Sequence, residues 1–165
     1  MGTLYANGVS AGDLATALLE MLTSWNATMV LLDADLGVTA IDYGDSDLTA
    51  IVNIDTLGLA EQGDIITRLQ ECVTNLATVT AKLDADDLTD SDYASKLDIT
   101  DTINTSLAGS INDEGMGQGK MISMVSAVKT AFNALMAKLD GDATVQTTTY
   151  VSANEIEFEI DTTGA

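Results

Sequence analysis

The chain belongs to the mainly α class, with an expected three-helix bundle built from three helix–turn–strand repeats and minor β structure beside it. Three observations lead there. The segment Leu-Asp-x-Asp occurs at Leu32, Leu83 and Leu139, 51 and 56 residues apart. A tyrosine follows each one at nearly constant distance: Tyr43, Tyr93 and Tyr150. Each anchor leucine is preceded by apolar residues at alternating steps of four and three, the spacing of a narrow helical seam.

The seam of the first copy runs Leu32, Thr28, Trp25, Met21, Leu18 and Leu14. In the second it runs Leu83, Val79, Leu76, Cys72, Leu69 and Ile65, and in the third Leu139, Leu135, Phe132, Val128, Val125 and Met121. Thr28 alone is polar. Each copy therefore predicts a helix of about three heptads whose stripe packs on other helices. "SAGD" (Ser10 to Asp13) has capping spacing at the first start. Gly63-Asp64 marks the second. Gly115, Gly117 and Gly119 lead into the third, which should begin near Gly119 because glycine is costly inside a helix.

Each helix is expected to end near its Leu-Asp pair, with the aspartates bonding locally to backbone as Asp does in turns. Thr39 with Asp42, and Thr89 with Asp92, have capping-box spacing just ahead of Tyr43 and Tyr93. In the third copy Gln146 and Thr149 replace that pair. The tyrosine rings should cover the helix ends. Extended segments follow at Leu48–Thr56, Lys96–Thr100 and Glu155–Asp161, the last alternating strictly as a half-buried strand does. Thr100 to Glu114 is expected to hold a short helix. The repeats thus cover 10–56, 59–105 and 115–161 of a single domain, 1–165. Parallel helices joined by returning segments, and antiparallel up-down packing, are both compatible with the spacing. So are seams that face other chains.

Composition narrows the chemistry. Among 165 residues 46% are hydrophobic but only 4% aromatic, so the core must be aliphatic. The net charge is −20, with six basic residues. Such a surface repels phosphate backbones and anionic membranes, so neither nucleic acid nor membrane is an expected partner. Basic partners and divalent cations are attracted instead. The amino-terminal "MGTLYANGVSAGD" lacks a basic n-region and a long apolar run, so no secretory signal is expected. Ala6 breaks the myristoylation pattern.

No histidine is present, which removes the commonest general base and the usual triads. Cys72, the single cysteine, falls on a seam and is expected to be a buried small hydrophobe. "GMGQGK" (Gly115–Lys120) fails as a phosphate loop, having Glu114 where glycine is needed and Met121 where Ser or Thr is needed. No catalytic residues and no cofactor are assigned.

Calcium is the competing reading of the acidic turns. Asp84, Asp86, Asp87, Asp90 and Asp92 lie within nine residues, and Asp84, Asp86, Asp90 and Asp92 are the candidate ligands. The turns depart from the EF-hand pattern: the fifth positions are Gly37, Leu88 and Thr144, the sixth lack glycine and the twelfth lack an acid.

The residues Leu32-Asp33-Ala34-Asp35 with Gly37-Val38-Thr39 and Asp42-Tyr43 resemble a segment common in tailed-phage virion structural proteins, including head-fibre and capsid-decoration types. Lys82-Leu83-Asp84-Ala85-Asp86 with Thr89-Asp90-Ser91-Asp92-Tyr93-Ala94-Ser95 resembles it again. Lys138-Leu139-Asp140-Gly141-Asp142 keeps little beyond Tyr150. The similarity covers about half of the chain. It implies a non-enzymatic virion component, a capsid decoration, head fibre or neck piece, whose partners are other virion proteins or copies of itself. The alternative class is a calcium-dependent adhesion or scaffold module.

Overall fold

The computed structural model of the chain describes residues 3–5, 11–38, 43, 59–86, 93, 118–146, 149–156 and 159–161. Within them the protein is mainly α. Three long helices, α1 (Ala11–Ala34), α2 (Leu59–Ala85) and α3 (Gln118–Gly141), coincide with the three seams. A short helix α4 (Tyr150–Asn154) follows the third. Strand β1 (Thr3–Tyr5) pairs in parallel with β2 (Glu159–Asp161), Thr3 opposite Glu159.

The starts of α1 and α3 fall within a residue of expectation, whereas α2 begins earlier than Gly63-Asp64. Its first residues, Leu59-Ala60-Glu61-Gln62, are good helix formers, and their propensity outweighs the roughly 1 kcal/mol cost of Gly63 in the helix interior. The three helix ends are alike. The backbone amides of Asp35, Asp86 and Asp142 donate to the carbonyls of Leu32, Leu83 and Leu139, three residues back, at 3.1, 3.2 and 3.2 Å. Such tightening satisfies carbonyls that a helix terminus would otherwise leave open.

Every seam residue whose side chain is described is buried, from Leu18 to Leu32, Leu69 to Leu83 and Val125 to Leu139. Trp25 stacks on Phe132 with ring centroids 4.4 Å apart. Thr28, the polar exception, donates from Oγ1 to the Ser24 carbonyl at 2.8 Å, which removes the cost of an unpaired hydroxyl. Burial also reaches Met29, Thr80 and Met136, which occupy matching places three residues before the anchor leucines. The buried face is thus wider than a strict two-position seam.

Each long helix touches the other two. Their C-terminal ends lie together, as the bonds described below require, so the three run parallel rather than up and down. Matched contacts farther down α1 and α3, Trp25 on Phe132 and Thr28 near Met136, keep the same sense.

The expected strand at Glu155–Asp161 is shorter than the alternation suggests. Tyr150–Asn154 is helical, Glu155 and Ile156 lie outside any strand, and Glu159–Asp161 is strand. The physical reason lies in Asn133. Its Nδ2 donates to the Ile156 carbonyl at 3.1 Å, and the Ile156 amide donates to its Oδ1 at 3.0 Å. A side-chain amide on α3 thus takes the role that a neighbouring strand would play, and Ile156 is buried beside Trp25 and Phe132. The Ser24 hydroxyl donates to the Asn154 carbonyl from the α1 side. The segments expected to be extended at 48–56 and 96–100, the capping boxes at Thr39 and Thr89, and the helix expected in 100–114 lie outside the described residues.

Candidate functional site

The end of the molecule where the three helices terminate gathers six aspartates and three tyrosines, all from the repeated turn. Each copy contributes two aspartates with different duties. The first, at the Leu-Asp pair, holds its own copy's tyrosine backbone. Asp33 Oδ1 accepts from the Tyr43 amide at 2.6 Å, Asp84 Oδ1 from Tyr93 at 2.6 Å, and Asp140 Oδ1 from Tyr150 at 2.9 Å. Asp140 Oδ2 also accepts from the Val151 amide at 3.1 Å, capping the open N–H groups of α4. Negative charge at the C-terminus of a long helix is unfavourable by itself. Here each carboxylate accepts from the tyrosine amide of its own copy.

The second aspartate of each copy receives a tyrosine hydroxyl from a different copy. Tyr43 donates to Asp86 Oδ2 at 3.5 Å, Tyr93 to Asp142 Oδ2 at 3.0 Å, and Tyr150 to Asp35 Oδ2 at 3.4 Å. The first copy reaches the second, the second the third, and the third the first. The contacts form a closed cycle with a single sense. All three tyrosines are fully buried, and Asp35, Asp86 and Asp142 are nearly so, at 3%, 8% and 6% exposure.

Backbone amides supply two of the second aspartates, Asp35 and Asp142. Asp35 Oδ1 accepts from Gly37 at 2.8 Å and from Gln146 at 3.0 Å, and Asp142 Oδ1 accepts from Thr144 at 2.9 Å. The bonds to the residue two places on are the Asx turns that aspartate readily makes. The Gln146 bond ties the first turn directly to the third. Gly37 sits so close to the Thr144 carbonyl that a Cβ there would overlap it. Only glycine allows that approach.

Two lysines finish the packing. Lys82 Nζ lies 5.9 Å from the centre of the Tyr43 ring, and Lys138 Nζ lies 4.6 Å from that of Tyr93. Both stand in the last turn of their helices, where positive charge also complements the dipole. The matching residue of the first copy is Leu31, which packs against the buried cluster.

This arrangement holds the three helix ends in register. Burial, and then the neighbouring Asp86 carboxylate, pushes the Tyr43 hydroxyl well above its usual range, so it stays a proton donor. Burial, followed by Glu71, pushes Cys72 up to about 12, which leaves an unreactive thiol. Among the calcium candidates, Asp84 holds the Tyr93 amide and Asp86 receives the Tyr43 hydroxyl. Asp90 and Asp92 lie outside the described residues, and among the described residues no three acidic or thiol groups stand together as a metal cluster would. Comparison with known protein families, characterised proteins and solved structures finds no match to the chain.

The cross-copy hydroxyl bonds, the Asn133 clamp and α4 were not foreseen from the sequence. The constant Asp-to-Tyr spacing was the available signal for the first of these. It fixed the tyrosine beside a helix end without revealing whose carboxylate its hydroxyl would reach.

Proposed function

We propose that this chain is a non-enzymatic structural subunit of a tailed-phage virion: a capsid decoration, head fibre or neck component that acts through protein–protein assembly. Its architecture is a single-domain parallel three-helix bundle of pseudo-threefold symmetry, made from three copies of one helix–turn–extended unit with minor β structure. One observation carries this reading. Of the residues that resemble the phage virion segment, Asp35, Tyr43, Asp86 and Tyr93 take part in the cycle, and Asp33 and Asp84 hold the backbone amides of its first two tyrosines. The motif is used for closing a rigid block, which is what an assembly part needs. The seams face inward within one chain, which favours a monomeric block over one completed by other copies.

The test is compositional. Phage particles purified from cells that carry this gene should contain the chain at a fixed copy number by mass spectrometry. Intact particles without it overturn the assignment. The competing calcium-dependent adhesion or scaffold module draws on the same aspartates. It is separated by calorimetric titration of the full chain with calcium, where a saturable heat and a chelator-sensitive melting temperature favour that alternative.

A further inference from the structure

The large hydrophobic side chains exposed among the described residues all belong to α1 and its turn: Leu19 at 37%, Val30 at 63% and Leu36 at 74%. Leu19 and Val30 are eleven residues apart, about three helical turns, and so share a face. Thr23 and Ala34, each four residues along from one of them, continue that face and are exposed too. The strip spans about 22 Å from Leu19 to Ala34 at 1.5 Å per residue, and Leu36 stands exposed in the turn that follows the helix. No charged residue interrupts it at these positions.

The corresponding places in the other two copies differ. Where the first copy has Leu19, the others have Gln70 and Ser126. Val30 corresponds to Ala81 and Ala137, and Leu36 to Asp87 and Ala143. The buried faces are matched among the copies, but this outer face carries large aliphatic side chains in one alone. Scattered exposed aliphatics need no explanation, whereas an aligned set on one helix marks a contact surface.

We infer that the outer face of α1, from Leu19 to Leu36, docks a partner protein that presents an apolar strip flanked by lysine or arginine. The flanking chemistry follows from charge. The chain carries −20 overall, and Asp33 is exposed beside the strip. Two copies facing each other would bring like charge together, which costs several kcal/mol at an interface, while a basic rim gains steering and register. The inference deepens the assembly role proposed above and names one face through which a single chain would engage its neighbour.

The test uses the full chain and two synthetic amphipathic peptides, one with leucines at heptad spacing flanked by lysines and one with the same leucines flanked by glutamates. Titration calorimetry should show the lysine-flanked peptide binding at least about tenfold more tightly. The double variant Val30→Asp with Leu36→Asp should lower that affinity about tenfold or more at unchanged melting temperature. This variant is decisive because it adds negative charge: diffuse attraction to an acidic protein would strengthen binding, and only loss of the apolar face weakens it. Val30→Ala with Leu36→Ala, using side chains of the kind found in the third copy, should weaken binding without adding charge. Equal binding of both peptides, or binding unaffected by either variant, overturns the inference. So does a large fall in melting temperature in both variants, which would mean that the chain itself covers this face. Concentration-dependent dimerisation abolished by the variants would assign the face to a second copy and overturn it as well. Peptide binding that survives while the chain is absent from particles would leave this face intact and reject the virion role instead.

Discussion

The phenolic oxygen of Tyr150 lies 3.4 Å from Oδ2 of Asp35, joining residues 115 positions apart. That contact closes the cycle of hydroxyl–carboxylate bonds at the common end of the helices. The same carboxylate also accepts from the amides of Gly37 and Gln146. A buried acid in this position is tolerated because its oxygens are supplied with donors.

The shortest member of the cycle, Tyr93 to Asp142 at 3.0 Å, offers the clearest energetic test. Tyr93→Phe leaves the Asp142 carboxylate without that donor and should destabilise the chain by about 1–3 kcal/mol in urea unfolding. Asp142→Asn should cost a similar amount. In a double-mutant cycle the two should couple by about 1 kcal/mol or more. Strict additivity would show that the bond contributes nothing beyond packing.

Gly37 in the first turn and Gly141 at the end of α3 should behave oppositely. A Cβ on Gly37 meets the backbone carbonyl of Thr144, which cannot move aside as a flexible side chain can. Gly37→Ala should therefore cost about 2 kcal/mol or more. Nothing lies within 4 Å of a Cβ built on Gly141, and that residue is helical. Gly141→Ala should be neutral or stabilise by up to about 1 kcal/mol. Thermal melts of the two variants check both signs.

Asn133 makes paired bonds with the Ile156 backbone at 3.1 and 3.0 Å. Asn133→Ala should expose the Ile156 amide to exchange, accelerating its deuterium uptake by at least about tenfold, for about 1–2 kcal/mol lost. The amides of the α2 interior should keep their protection. Uniform acceleration across all helices would mean that the clamp supports the whole fold rather than the segment after α4.

Stability should fall at high pH. Tyr43 has its folded pKa raised from 10.0, and Cys72 from 9.0, so both keep a proton in the folded state that the unfolded chain releases. Above those unfolded values the folded state binds more protons, and unfolding free energy declines as pH rises. The contribution is complete below about pH 9, starts to fade with Cys72 and steepens above about pH 10 with Tyr43, at about 1.4 kcal/mol per pH unit for each group. Urea midpoints across that range measure it, and Tyr43→Phe should flatten the portion above about pH 10.

Much of the helical scaffold was legible because a single strong signal specified it. The four-three spacing that ends at Leu32, Leu83 and Leu139 placed three helices, and its described members are buried. The third helix start was visible in Gly115, Gly117 and Gly119 for the same local reason. The second was misjudged because Gly63 looks like a boundary while its neighbours favour helix. The hydroxyl acceptors at Asp35, Asp86 and Asp142 were not legible, since they join residues 43, 49 and 115 positions apart and depend on which helix end lies beside which. The strand expected from the alternation after Glu155 gave way at Ile156 to a side-chain clamp on α3, a tertiary effect that no local pattern encodes.

The closing contact also orders events in time. During synthesis Asp35 leaves the ribosome long before Tyr150 is added, so the first turn waits for a donor that arrives last. Contacts of such sequence separation slow folding relative to helical proteins held by near neighbours. The buried flank of α1 likewise waits for Phe132 and Met136, and a translation product cut short before α3 presents that flank to whatever chaperone or sibling chain meets it first.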